Sequence, residues 1–273
     1  MKFQRVVLVL AIAANCLAIT PSFFTSTGQS NGAYQKMTQA ERAAFVSERA
    51  RLLAHEMSGS DYEFTPAFET AIQKQVDWYV RHMGNNRGAQ SGSGDVRFIF
   101  ERGQAQAPAL IRIFKARDVS PLIGLYIPAI ESGYVNLQTP NEVGALGMFQ
   151  FLPATGEHFG LSTADLLDVE KSADAAARYI AAGMKKFKDD PMKEALALLA
   201  YNRGANHVEQ DLTMLLNNEN RSCSICALTE QGAKLDPTFQ NENVYYVPRF
   251  FAAAIIGENP QVFGLQTKPL SSF

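Results

Sequence analysis

Between Ser120-Pro121 and Gly133 the chain reads PLIGLYIPAIES, apolar throughout until Glu131. Serine followed by proline marks a helix start, because serine suits the N-cap and proline the first turn, and glycine is a common stop. A helix so poor in polar positions belongs in a core, where a carboxylate is costly unless something uses it. Glu131 stacks on Pro128, Ile127 and Gly124 of the same helix, so its own turn is apolar. It also lies at the C-terminal end, where the helix dipole disfavours another negative charge. Desolvation and dipole both raise the carboxyl pKa, and a glutamate protonated near neutral pH can act as a general acid. On this pattern alone a second reading stays open, a buried glutamate satisfied by a neighbouring helix.

The remaining punctuation is also helical. Thr38, with Glu41 three residues on, predicts a capped helix from Thr38 to Met57. Pro66 opens another, with Phe68, Ile72, Val76, Tyr79 and Val80 at helical spacing, and Gly84 closes it. A loop to Gly94 follows, then a helical stretch that Pro108 interrupts or restarts. NEVGALGMFQFLPATG reads as a glycine-bearing loop leading to a short helix near Pro153. SADAAARYIAAGMKKFKDD is a helix with lysines in its last turns, where cations suit the dipole. Asp190-Pro191 heads the next helix, which Gly204 ends; the stretch to Pro237 reads as loop-rich, and a final helix covers ENVYYVPRFFAAAIIGEN. With no internal repeat and little β-type alternation, the class is mainly α.

The first residues point to export. Lys2 and Arg5 precede an apolar run, VVLVLAIAANCLAIT, in the order of a signal segment. No clean small-residue cleavage site follows, so residues 1–25 are expected either to be removed or to stay as an inner-membrane anchor. Asn15 before Cys16 argues against a lipid-modified cysteine. Residues 26–36 read as a flexible tether. The expected compartment is the periplasm or cell envelope, which permits a disulfide, and Cys223 and Cys226 in RSCSIC are the candidate pair. They lack the further ligands a zinc site needs. A net charge of −2 with interspersed signs gives no footprint for nucleic acid.

The ordered set AIES, GMFQF with PATG, then ALALLAYNRG resembles the lytic transglycosylases with a lysozyme-like (goose-type) SLT domain, whose pattern is E-S, then G-L-x-Q-x-x-P-x-T, then A-Y-N. The flanks VDWYVRH (76–82) and YVPRFFAAAIIGENPQVFGL (246–265) extend the resemblance over about residues 66–265, toward the catalytic region of the membrane-bound lytic murein transglycosylase D group. It implies a helical extension over 26–118 and a catalytic domain over 119–268. Carried over by position, Glu131 is the catalytic acid and base, and Ser132 hydrogen-bonds in the site or caps the helix end. Gly147, Met148 and Gln150 line the sugar groove, with Gly147 allowing close backbone approach, Met148 packing on a ring or, equally, serving only the core, and Gln150 contacting a substrate amide. The Tyr201 phenol holds the Glu131 carboxyl, Asn202 reaches the saccharide, and Tyr246 is a second support of the cleft.

The implied partner is a peptidoglycan glycan strand, and no cofactor or metal is required. Glu131 would protonate the bond between N-acetylmuramic acid and N-acetylglucosamine, then deprotonate the C6 hydroxyl to close a 1,6-anhydro ring. Hydrolysis on the same fold would need a second carboxylate, about 5 Å away for retention or about 6.5–9.5 Å for inversion. Glu142, in TPNEVG, is the nearer candidate in sequence and Glu242 the more distant. A non-catalytic wall-binding component is the other alternative. Two departures from the family pattern stand out. SGYVNLQTPNEVGAL is slightly longer and lacks the usual serine-proline turn, and no LysM repeat follows. Targeting is therefore expected from elsewhere; the extension reads first as scaffold wrapped on the catalytic domain, with docking on an envelope secretion or pilus apparatus as the alternative.

Overall fold

The computed structural model describes residues 32–84, 95–216 and 222–273. The signal or anchor segment, Cys16, the start of the tether and the loop over 85–94 lie outside the described residues. In chain order the helices are α1 (Ala33–Lys36), α2 (Gln39–Ser58), α3 (Pro66–Arg81), α4 (Val96–Lys115), α5 (Pro121–Glu131), α6 (Pro153–His158), α7 (Val169–Lys186), α8 (Lys193–Arg203), α9 (Ala205–Leu216), α10 (Ser224–Gln231), α11 (Pro237–Asn241) and α12 (Tyr246–Glu258). Short 3-10 turns link several of them, and no strand occurs among the described residues. The fold is mainly α and lysozyme-like.

Two helices form the centre because their sequences leave no polar face. α5 is buried from Leu122 through Ala129, and α12 from Phe250 through Gly257. They meet so closely that a Cβ on Gly257 would lie 2.4 Å from the Tyr126 hydroxyl oxygen. Glycine there is the condition for the helix crossing. At the same place the Tyr126 hydroxyl donates to Glu258 Oε1 at 2.5 Å, which satisfies a polar tip inside the core. On α5 itself, Gly124 accepts the Phe114 ring of α4, whose nearest atom is 2.3 Å from a hypothetical Cβ.

The helices before residue 119 wrap this centre rather than standing apart. α3 packs along α12, and Phe64, Phe68 and Phe251 form an aromatic cluster between them. α4 packs on α5 and α7. The core runs without interruption from Tyr34 to Leu270. Tyr62 crosses the same seam, donating to Glu194 Oε2 of α8 at 2.5 Å with both residues buried. The helix ends are fixed locally. Thr38 and Glu41 form a reciprocal capping box on α2, Thr65 caps α3 ahead of Pro66, and Asp168 caps α7.

Four expectations change. Residues 33–36 are helical, not tether: Tyr34 is fully buried against Phe263 and donates to Asp77. Pro108 neither stops nor restarts α4, which continues through it while Ala107 and Leu110 hold that face in the core. α8 begins at Lys193, and Asp190 instead accepts from the Met192 N–H and from the buried Ser224 hydroxyl. The stretch after Gly204 holds α9, α10 and α11. α9 buries Val208, Asp211, Leu212 and Leu216, a face that forms only because a partner surface is present. Cys223 and Cys226 are disulfide-bonded across the first turn of α10, and the Thr65 N–H points at Cys226 Sγ at 3.5 Å. No helix among the described residues is long and apolar enough to cross a membrane.

Tyr62→Phe is expected to cost about 1–3 kcal/mol, the range for leaving a buried acceptor without its donor. A denaturant midpoint unchanged from the parent would show that the seam does not depend on the Tyr62–Glu194 contact.

Candidate active site

A cleft of about 480 Å³ opens at the C-terminal end of α5. Glu131 lies on its wall, with Gln150, Phe151, Tyr201, Asn202 and Glu242 around it. Four separate elements supply these side chains: the end of α5, the loop before α6, the end of α8, and the segment between α11 and α12.

The loop is held by its backbone. Leu137 pairs with Gly147 and Leu146 with Phe151 as isolated bridges. Gly147 has φ 72°, and a Cβ there would lie 2.2 Å from the Leu166 carbonyl oxygen, so only glycine fits. Ser132, at the α5 C-cap, donates to the Met148 carbonyl at 2.8 Å and ties the helix end to the loop. Gln150 is a non-glycine residue at φ 51°, a conformation that costs energy and persists where surroundings enforce it. Its Nε2 donates to the Gly147 carbonyl at 2.7 Å, and its Oε1 accepts from Asn141 at 3.3 Å. Asn141 Oδ1 also accepts from the Val143 and Ala145 N–H groups, so one asparagine organises the turn where the family pattern has serine and proline.

Glu131 is partly exposed to the cleft, and its carboxyl is pushed up to about 7. Burial is the main cause, with the charge of Glu242 adding to it, while the Tyr246 hydrogen bond and the charge of Arg249 act the other way. The Tyr246 hydroxyl donates to Glu131 Oε1 at 2.6 Å. This corrects the expectation for Tyr201, whose hydroxyl donates to the Phe149 carbonyl at 2.8 Å instead. Tyr201 still faces the cleft, its ring set edge-on to Phe151 and Tyr179.

Of the two readings for Met148, a sugar platform and core packing, the structure takes the second. Its side chain is 2% exposed and belongs to the core. Ser132 is likewise buried, and with Gly147 it shapes the loop rather than the cleft wall. Gln150, Asn202 and Tyr201 do open onto the cleft. Glu142 is exposed and off the cleft wall, whereas Glu242 is on it. Sequence reading passed over Asn141, Arg203 and Asn243 as site residues. The only local signal for the two asparagines was a short polar side chain outside an α-helix, and Arg203, at the last position of α8, gave none.

Residues 110–220 match the transglycosylase SLT domain. No curated protein matches the chain. The matched segment contains Glu131, the loop through Phe151 and the Tyr201-Asn202 pair, and it ends before Tyr246. It supports a lytic transglycosylase acting on peptidoglycan.

A carboxyl raised from 4.5 to about 7 by folding makes the fold pH-dependent. Below the lower value Glu131 is protonated in both states and costs nothing. Between the two values the unfolded chain ionises while Glu131 in the fold stays protonated, so stability falls as pH rises from 4.5 to about 7, by roughly 3 kcal/mol in all. Glu131→Gln is therefore expected to match the parent in melting temperature at acidic pH and to exceed it on the alkaline side. Parallel curves across the range would mean that Glu131 ionises as an ordinary glutamate.

Proposed function

We propose that this chain cleaves the β-1,4 bond between N-acetylmuramic acid and N-acetylglucosamine without water, leaving 1,6-anhydro-N-acetylmuramic ends. The observation that supports this most is one carboxyl, Glu131, kept near neutral pKa by burial and oriented on a cleft by the Tyr246 hydroxyl. Because Tyr246 donates into Oε1, Oε2 is the oxygen left to carry the proton. Glu131 gives that proton to the glycosidic oxygen as the bond from C1 to that oxygen breaks. The substrate's own acetamido oxygen supports the positive charge that develops at C1. The Glu131 carboxylate then takes the proton of the C6 hydroxyl as its oxygen bonds to C1. Atoms balance without an added reactant, and the acid is regenerated.

The basic and apolar N-terminal sequence supports export, with the activity at the cell envelope on the periplasmic side. The flanking sequences over 76–82 and 246–265 support a place near the membrane-bound lytic murein transglycosylase D group. Hydrolysis is the second reading, because Glu242 shares the cleft with Glu131. Glu242 would then activate water, and the products would carry reducing ends.

Digestion of purified sacculi followed by mass spectrometry separates the two: anhydro ends are expected, and reducing ends would replace this reading by hydrolysis. Glu131→Gln is expected to abolish release of either product. The rate should fall as pH rises through about 7, because the first step needs the protonated acid. Tyr246→Phe removes a bond that favours the ionised form, so this alkaline limb should move to higher pH. A limb that stays in place would detach it from Glu131.

A further inference from the structure

Asn202 is joined to a chain of hydrogen bonds that has only one possible direction. Arg203 is 7% exposed at its side chain and is held by two carboxylates. Its Nε and Nη2 donate to Asp211 at 3.0 and 3.1 Å, and Asp236 accepts from Nη1 and Nη2. Its Nη1 also faces Asn243 Oδ1 at 3.4 Å. A guanidinium only donates, so the oxygen of the Asn243 amide must face it. The nitrogen of Asn243 then points the other way and donates to Asn202 Oδ1 at 2.6 Å. That in turn sets the Asn202 amide, whose Nδ2 donates to Glu242 Oε1 at 3.2 Å. The carboxylate at this end only accepts. With a pure donor at one end and a pure acceptor at the other, the direction of the chain is fixed by the chemistry of its ends. Asn243 is 3% exposed, and it is seated on the 3-10 turn over 243–245 just before α12.

We propose that Arg203 and Asn243 are positioning residues that fix Asn202 as a hydrogen-bond donor to the acetamido carbonyl of the bound glycan. Asn202 lines the cleft, its oxygen is occupied by Asn243, and one of its two N–H bonds is taken by Glu242. The remaining N–H is what the side chain offers to a ligand. A sugar hydroxyl can turn to meet either a donor or an acceptor. An acetamido carbonyl can only accept, so its binding depends on the Asn202 amide presenting a donor, whereas a hydroxyl would meet the amide in either orientation. Asp236, Glu242 and Asn243 lie outside the segment that matches the SLT domain, so part of this device comes from the C-terminal flank. The inference rests on reading the cleft as a site for an N-acetylated glycan.

The test uses the full chain carrying Glu131→Gln as parent, with the N-acetylglucosamine tetramer as ligand and calorimetry as readout. Asn243→Asp keeps the shape but reverses the direction: the new carboxylate accepts from Arg203 and can no longer donate to Asn202. Asn202 must then turn its nitrogen inward and its oxygen to the cleft. Asn243→Ser is smaller, yet its hydroxyl both accepts and donates. The expected result is a Kd raised about tenfold or more for Asn243→Asp and within about threefold for Asn243→Ser. A merely structural role predicts the opposite order, because aspartate is the closer isostere. That order, parent-like binding by Asn243→Asp, or no binding by the parent, would overturn the proposal. Melting temperatures are measured alongside. If Asn243→Asp does not fold, Asn202→Asp makes the same loss of donor at the cleft, and parent-like binding by it would also overturn the assignment. The outcome is separate from the lytic reading: absence of anhydro ends from sacculi would sink that reading while leaving the binding order intact.

Discussion

The cleft is arranged around a carboxyl at the end of a buried helix, where burial favours its protonated form. A carboxyl in that setting is stable protonated and costly ionised, so the protein that encloses it also sets its chemistry. α5 can carry Glu131 because α12 and α4 seal its sides, Gly257 and Gly124 letting the neighbouring rings approach. The C-terminal end of α5 then opens onto the cleft. The position that a dipole makes unfavourable for charge is therefore also the position where a ligand can arrive.

The wall around that carboxyl divides into two kinds of support. Ser132, Gly147 and Met148 hold the loop from within, by a hydroxyl bond to a carbonyl, a backbone approach and plain packing. Gln150, Tyr201, Asn202 and Glu242 face the opening. Tyr246 stands between the two, a buried ring whose hydroxyl reaches the acid. The relay from Arg203 through Asn243 to Asn202 extends the same logic. Buried charge, satisfied by Asp211 and Asp236, gives a rigid reference from which an amide at the cleft takes its orientation. The extension contributes stability to this arrangement, since α3 shares the core of α12 and Tyr62 reaches Glu194.

Local chemistry was legible where a residue's role depends on its neighbours in sequence. The capping box of Thr38 and Glu41, the proline starts at Pro66 and Pro121, and the apolar turn behind Glu131 all follow from short-range rules. Roles that depend on distant partners were not legible. The choice between Tyr201 and Tyr246 turns on which hydroxyl the fold brings to Glu131, and both tyrosines fit a motif equally well. Met148 sits in a motif that suggests a groove, but Gly147 turns the chain so that its side chain enters the core. α9 was hidden because its apolar positions follow a helix stop at Gly204, and only a packed surface makes them a face.

The sequence by itself determined the helical class, the starts of α2, α3 and α5, and the fact that one carboxylate would be left in an apolar turn, because these depend on periodicity and on backbone groups a few residues apart. Tertiary structure alone decided which tyrosine orients that carboxyl, that Glu242 rather than Glu142 joins it, and how the amide of Asn202 points. Each of those depends on side chains from segments about 40 to 115 positions apart, and such contacts exist only once burial of α5 and α12 has brought the segments together.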